Sequence, residues 1–167
     1  MLFRSDVSGE ELGGWQVLAE HSGFADVVAE TDADAIAAIK RFLEYMPTNN
    51  RMAPPVAAVP PGSDEAIKEI LNLIPDSQAQ VYDVRKVIRA MADLDSFFEI
   101  KERFGRSITT ALVRIDGRPV GVIANNPQFK GGAMDADACS KATDFIVLCD
   151  SYNVPLVFLQ DQPGFLI

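Results

Sequence analysis

The sequence predicts an α/β fold, and three observations in its second half carry that prediction. Segments that read as strand, strand, helix and strand succeed one another from residue 107 to residue 160. Between "SITTALVRI" and "RPVGVIA" stands Asp116-Gly117, the strongest short signal for a two-residue hairpin turn. Residues 154–159 then form a nearly continuous apolar run, the pattern of a strand covered on both faces.

The composition agrees with a globular chain. Of 167 residues, 48% are hydrophobic and 23% charged, which excludes disordered and fibrous classes. Fifteen basic against 24 acidic residues leave a net charge of -9, so no phosphate-binding footprint is expected and nucleic acid is excluded as a partner. No apolar run approaches the ~18 residues of a membrane span, and the first nine residues lack the apolar core of a signal peptide. Cys139 and Cys149 sit in no metal or redox spacing and read as buried thiols in a reducing cytoplasm.

The elements can be justified in chain order. Residues 17–19 read as a short strand, with His21 in a loop or at a strand end just after it. Thr31 can cap a helix with Asp34 three residues on, placing Ile36, Ile39, Leu43 and Met46 on one apolar face before Pro47 stops it. Six of the ten prolines then fall at positions 47, 54, 55, 60, 61 and 75. Proline lacks an amide donor and restricts its predecessor, so residues 47–80 read as a connector. One short helix, with Ile67, Ile70, Leu71 and Ile74 on one side, interrupts it. Asp83 can cap a helix whose Val84, Val87, Ile88 and Met91 share a face. "FFEIK" reads as a strand, with Phe97 and Phe98 as core. Asn125, Asn126 and Pro127 end the returning hairpin strand. After Gly131-Gly132 comes a helix with an apolar stripe of Ala138, Ala142, Phe145, Ile146 and Cys149 and with Asp135 and Asp137 near its start.

Several chemistries are excluded. There is no P-loop, GxGxxG, HExxH or GxSxG, and a single histidine rules out zinc sites built on several imidazoles. The opening "LFRS" fits poorly with the segments after it, and the chain stops on "DQPGFLI" just after a strand. A piece of a longer protein is expected.

Read together, "YDVRKVIRAMADLDSFFEI", "GRPVGVIANNP" and "KATDFIVLCDSYNVPLVFLQDQPGF" resemble the carboxyltransferase (beta) subunits of biotin-dependent acyl-CoA carboxylases, of the propionyl-CoA carboxylase type. "ELGGWQVLAEHSGFADVVAE" followed by "FLEYMP" resembles the end of that family's N-terminal half. The resemblance covers nearly the whole chain after about residue 9, in the family's order. It implies a crotonase-like fold of strand–strand–helix units, incomplete here. Residues 1–46 would be the tail of the N-terminal domain, 47–80 the connector and 81–167 the first part of the C-terminal domain.

The activity implied is transfer of a carboxyl group from carboxybiotin to the alpha carbon of an acyl-CoA of the propionyl or acetyl class. Two oxyanions then need preorganised amides, each worth about 10²–10³ in rate. The resemblance places both glycine turns that supply them outside this chain, so no catalytic residue is expected within it and the isolated chain should be inactive. The implied partners are a biotin carboxyl carrier, a biotin carboxylase subunit and copies of the same subunit in a hexamer. No metal is implied, and the location is cytoplasmic.

What the resemblance places here is the carboxybiotin side: Asn125 and Asn126 in "ANNP", and Asp161, Pro163, Gly164 and Phe165 in "DQPGF". Phe165 matches the family's biotin-facing phenylalanine, and an aromatic face suits a neutral bicyclic ring; its alternative role is core packing. Asn125 and Asn126 alternatively satisfy a turn's own amides, the role favoured for them, and Asp161 is expected to brace its turn by accepting amides. Gly13-Gly14 reads as a loop needing positive φ, and Gly131-Gly132 as a helix-entry turn with amides that could instead face an anion. Three other functions remain open: a biotin-dependent decarboxylase subunit, a non-catalytic interaction module of the same fold, and a crotonase-type hydratase or hydrolase.

Overall fold

The computed structural model describes residues 7–77 and 80–166. The opening "LFRS" therefore lies outside the described residues. Four helices and four strands are numbered in chain order: α1 Gly9–Gly13, α2 Asp32–Leu43, α3 Val84–Met91, β1 Phe98–Ile100, β2 Ile108–Ile115, β3 Arg118–Asn125, α4 Ala136–Ser151 and β4 Leu156–Leu159. The strands form one sheet in the order β1-β2-β3-β4. Its first three strands are antiparallel; β3 and β4 are parallel, with Gly121 opposite Leu156 and Ala124 opposite Leu159.

Local chemistry explains the elements that the sequence announced. Thr31 accepts the amide of Asp34 at the head of α2, Asp83 accepts that of Arg85 at α3, and Asp135 accepts that of Ala138 at α4. In the hairpin turn Asp116 and Gly117 both have positive φ, 52° and 74°, as a type I′ turn requires. The buried Asp93 carboxylate accepts the amides of Asp116 at 3.2 Å and Gly117 at 2.7 Å, so this turn is held from outside as well.

The sheet separates two apolar layers because side chains alternate along β2 and β3. Ile108, Leu112 and Ile123 pack with Ala138, Phe145 and Cys149 of α4 and with Tyr45 and Met46. Ala111, Val113, Val120, Val122 and Ala124 face the other way, against Val84 and Ile88 of α3. Phe97 and Phe98 are each half-buried at the edge of one layer. A bidentate Arg85–Glu99 pair, at 2.7 and 2.8 Å, pins α3 over β1. Arg114 donates to the carbonyls of Glu44, Pro55 and Gly117, tying the end of α2 and the proline-rich segment to the hairpin. Within the described part of that segment there is one 3₁₀ helix, Ala66–Leu73, packed on α3, and no strand.

Two expectations are corrected, and three apolar surfaces stand uncovered among the described residues. Residues 17–19 are not a strand: Val17–His21 is one π-helical turn, with Ser22 donating its amide to Val17. Neither Gly13 nor Gly14 has positive φ; a Cβ on Gly14 would lie 2.6 Å from the Glu10 carbonyl oxygen, so close approach is what excludes a side chain there. Among the described residues the apolar face of α2 is largely uncovered: Ile36, Ile39 and Leu43 are each more than half exposed, and Met46 is buried. On α4, Ile146 lies at the exposed edge of an otherwise buried stripe. Finally, β4 is the last strand of the described sheet, and Phe158 is 60% exposed. A run of apolar residues reports what a strand is built to touch, and no described element lies on the outer side of this one.

Between α2, β1 and α4 a cleft of about 590 Å³ opens, lined by Ile39, Phe42, Phe98, Ile100, Phe145 and Leu148. At its inner wall Lys141 is buried and donates to the carbonyls of Phe104 at 3.0 Å and Ile108 at 2.8 Å. Burial pushes its ammonium down to about 8, against the opposing pull of Glu99 and Glu102 and with the push of Arg85 and Lys101. An unfolded lysine keeps its proton to about 10.4. Between these values the native state binds fewer protons than the unfolded state, so this group's contribution to stability grows as pH rises and is lost as pH falls through 8. We expect the stability of the chain relative to Lys141→Met to rise by about 1–3 kcal/mol between pH 8 and 10.5, measured by denaturant unfolding at each pH. A flat difference would show that Lys141 stays charged in the fold.

Candidate functional site at the strand ends

In open sheets with parallel strands, ligands favour the crevice beyond the strands' carboxyl ends. The parallel pair β3 and β4 ends at Asn125 and Leu159, and the candidate residues gather just beyond. Asn125 is buried and joins two turns: its Nδ2 donates to the Gly132 carbonyl at 2.9 Å, and its Oδ1 accepts the Asp161 amide at 3.3 Å. The 161–165 turn is closed against the loop before α4. Met134 donates its amide to Gly164 at 3.1 Å, and Leu166 donates to the Met134 carbonyl at 2.8 Å.

Phe165 is 69% exposed and belongs to neither core cluster of the described residues. Pro163 is also exposed, and Gly164 has φ 155°, extended backbone in a region that side chains avoid. Asn126 has other partners, and its Nδ2 donates to the Asp83 carboxylate at 3.5 Å. It is fully buried, its amide donates to the Ser107 carbonyl at 2.8 Å, and its Oδ1 accepts the Gln128 amide at 3.2 Å, the turn-satisfying role that its residue type suggests. Asn125 does not do this; it links separate segments. Asp161 does not brace its turn by accepting amides either. Its carboxylate accepts the Tyr82 hydroxyl at 2.9 Å, while its own amide is the one donated to Asn125.

The Gly131-Gly132 turn is a short 3₁₀ entry to α4, and Lys130, Gly131 and Gly132 all have positive φ. A Cβ on Gly132 would sit 2.7 Å from the Asp161 carbonyl oxygen, so glycine there lets the two turns touch. Lys130 pairs with the capping carboxylate of Asp135 and holds that carboxyl below its usual range, against the effect of burial and with support from the Ala138 amide. Burial pushes the Cys149 thiol up to about 12, and Cys139 is half-buried and unbridged. His21 is exposed at the end of the π-helical turn. Among the described residues no cluster of three acidic, histidine or cysteine side chains could hold a metal, and no helix is long and apolar enough to cross a membrane.

The site therefore offers an exposed aromatic ring on a rigidly tethered turn, and no free acid–base pair. Tyr82 was not singled out by sequence reasoning, although it directly precedes the α3 cap in "YDVRK". The large cleft is lined by none of the strand-end residues and lies elsewhere.

Comparison with known proteins shows the family of the chain. Residues 1–167 match the Carboxyl transferase domain family, and the chain belongs to it. It is 39% identical over 160 residues to the propionyl-CoA carboxylase beta chain of Roseobacter denitrificans, and 40% identical over 168 residues to the uncharacterised carboxylase YngE of Bacillus subtilis. It spans about a third of the length of these relatives, 31% and 32%, while they match 96% and 100% of it. Among solved structures, a transcarboxylase 12S hexamer core with hydrolysed methylmalonyl-coenzyme A bound superimposes with TM-score 0.91 at 36% identity, over 98% of this chain and 32% of that one.

The geometry separates the roles of two site residues. Phe165→Ala should change unfolding free energy by less than about 0.5 kcal/mol, because an exposed ring contributes little to packing. Asn125→Ala leaves the buried Gly132 carbonyl and the Asp161 amide without their partner and should destabilise by about 1–3 kcal/mol. Thermal or denaturant unfolding of both variants checks this; a large loss for Phe165→Ala would return it to the core.

Proposed function

We propose that this chain is the central part of the carboxyltransferase subunit of a biotin-dependent acyl-CoA carboxylase, and that its strand-end turns form the carboxybiotin side of the active site. The observation that carries the proposal is the exposed Phe165 ring on a tethered turn beyond β3 and β4, in a chain that matches this family throughout. In this reading residues 1–46 close the N-terminal domain, 47–80 connect, and 81–167 open a crotonase-like C-terminal domain. The uncovered faces of α2 and β4 are then where the rest of the subunit packs, since exposed apolar area beyond a few hundred Å² marks an interface.

Bound carboxybiotin would supply the activated carboxyl group for transfer to the alpha carbon of a propionyl- or acetyl-class acyl-CoA. The chain's own residues bind and orient. The Phe165 face offers apolar area to a neutral bicyclic ring that has few polar anchors. Gly164 and Pro163 shape the turn, and Asn125 fixes its root through the Asp161 amide. None of these groups needs to move a proton, which suits a site whose carboxylate is already engaged with Tyr82. A biotin carboxyl carrier and biotin carboxylase subunit are the partners this chemistry requires, within a hexameric carboxyltransferase in the cytoplasm.

A chimera tests the proposal: this chain replaces the matching third of the Roseobacter denitrificans propionyl-CoA carboxylase beta chain. We expect carboxyl transfer to acyl-CoA. In that chimera Phe165→Ala should raise KM for the biotinyl carrier about tenfold to a hundredfold, the worth of a buried aromatic contact, with KM for acyl-CoA nearly unchanged. Phe165→Leu should fall between. An inactive, well-assembled chimera, or equal effects on both substrates, would contradict the assignment.

A further inference from the structure

The 161–165 turn carries no regular structure beyond a single bridge between Phe165 and Met134, so tethers set its conformation. Two of them come from its own strand–helix–strand unit: the bridge at Met134, and Asn125 on the Asp161 amide. The third does not. Tyr82 stands just before α3, 79 positions earlier in the chain, and its hydroxyl donates to the Asp161 carboxylate at 2.9 Å. Asp161 is thus held at two points, its amide by Asn125 and its carboxylate by Tyr82. A residue held at one point can pivot about it; one held at two has a fixed orientation. Phe165 lies four residues further on, with Gly164 and Leu166 on either side bonded to Met134, so the orientation of Asp161 sets the path by which the turn reaches that bridge.

We propose that Tyr82 is a positioning residue for the biotin-side turn, acting through the Asp161 carboxylate to present the Phe165 ring. The inference rests on the preceding reading of Phe165 and adds to it a residue from the opposite layer of the sheet. Tyr82 is half-buried while Asp161 is exposed, so the phenol supplies the fixed end of the contact and the turn the adjustable one. Burial, with Asp161 beside it, pushes the Tyr82 phenol up to about 12. It therefore remains a donor throughout the neutral and mildly alkaline range, and the tether does not switch with pH there.

The test uses the chimera. Tyr82→Phe keeps the ring and removes only the hydroxyl. It should raise KM for the biotinyl carrier about tenfold, the scale of one charge-assisted hydrogen bond, while kcat and KM for acyl-CoA stay within about twofold. Asp161→Ala should act in the same direction, and the double variant should be no worse than the more damaging single one, because both remove one contact. Equal increases in both Michaelis constants, additive losses, or no change in Tyr82→Phe would overturn the inference and leave the Phe165 assignment standing. An unsubstituted chimera that assembles but transfers nothing overturns that assignment, and this inference with it. If Tyr82→Phe prevents assembly, amide exchange in the 167-residue chain decides instead. Exchange about tenfold faster at Leu166, with β2 and β3 unchanged, supports the tether, and unchanged exchange at Leu166 overturns it.

Discussion

The close approach of α4 to the sheet at Gly121 is the constraint on which the rest of the structure depends. Gly121 lies in β3 on the face that α4 covers, and a Cβ there would stand 2.6 Å from the Cys149 Sγ, 2.9 Å from Leu156 and 3.1 Å from Phe145. Glycine in a strand interior costs about 0.5–1 kcal/mol relative to alanine, and a position where another element comes this close is what justifies it. Because α4 can settle here, the chain returns beside β3, the Gly121 amide donates to the Pro155 carbonyl at 2.8 Å, and β4 pairs in parallel register.

Everything at the candidate site depends on that pairing. Parallel strands place their carboxyl ends together, so Asn125 at the end of β3 meets the segment leaving β4, although 36 positions separate them. The Gly131-Gly132 turn enters the same space because α4 must begin at the end of the sheet from which β3 exits. The other layer contributes through α3. Its cap Asp83 and the bidentate Arg85–Glu99 pair hold the helix over the sheet, and this places Tyr82 against Asp161. The site is thus a meeting of two layers at one sheet end, with the aromatic ring left exposed between tethers.

Local signals in the sequence were sufficient for most elements. Asp116-Gly117, Thr31, Asp83 and the α4 stripe each act within a few residues, and the structure places the turn, the caps and the helices where those residues put them. The apolar runs were legible as apolar but not as covered: 154–159 reads as doubly buried, whereas covering depends on neighbours that a local pattern does not contain. Residues 17–19 failed for another reason, since three apolar or small residues carry too little periodicity to separate a strand from a helical turn. The family resemblance pointed to the strand-end turns, and the structure brings five of its six residues together. The division of labour among them was not legible. Asn125 and Asn126 are adjacent and chemically identical, yet the first links Gly132 and Asp161, while the second, just past the end of β3, holds its own turn through Oδ1 and Asp83 through Nδ2. Tyr82 was hidden because its partner lies 79 positions away and nothing in "YDVRK" marks a hydroxyl for a distant carboxylate.

The most direct measurement is residue-resolved amide hydrogen exchange on Gly121→Ala. If α4 packing at Gly121 creates the parallel pair and with it the site, the added methyl group should strip protection from β4 and from the Asp161 and Leu166 amides together, while the β2–β3 hairpin keeps its protection. Retained protection at Asp161 and Leu166, or a uniform loss across the whole sheet, would contradict the account.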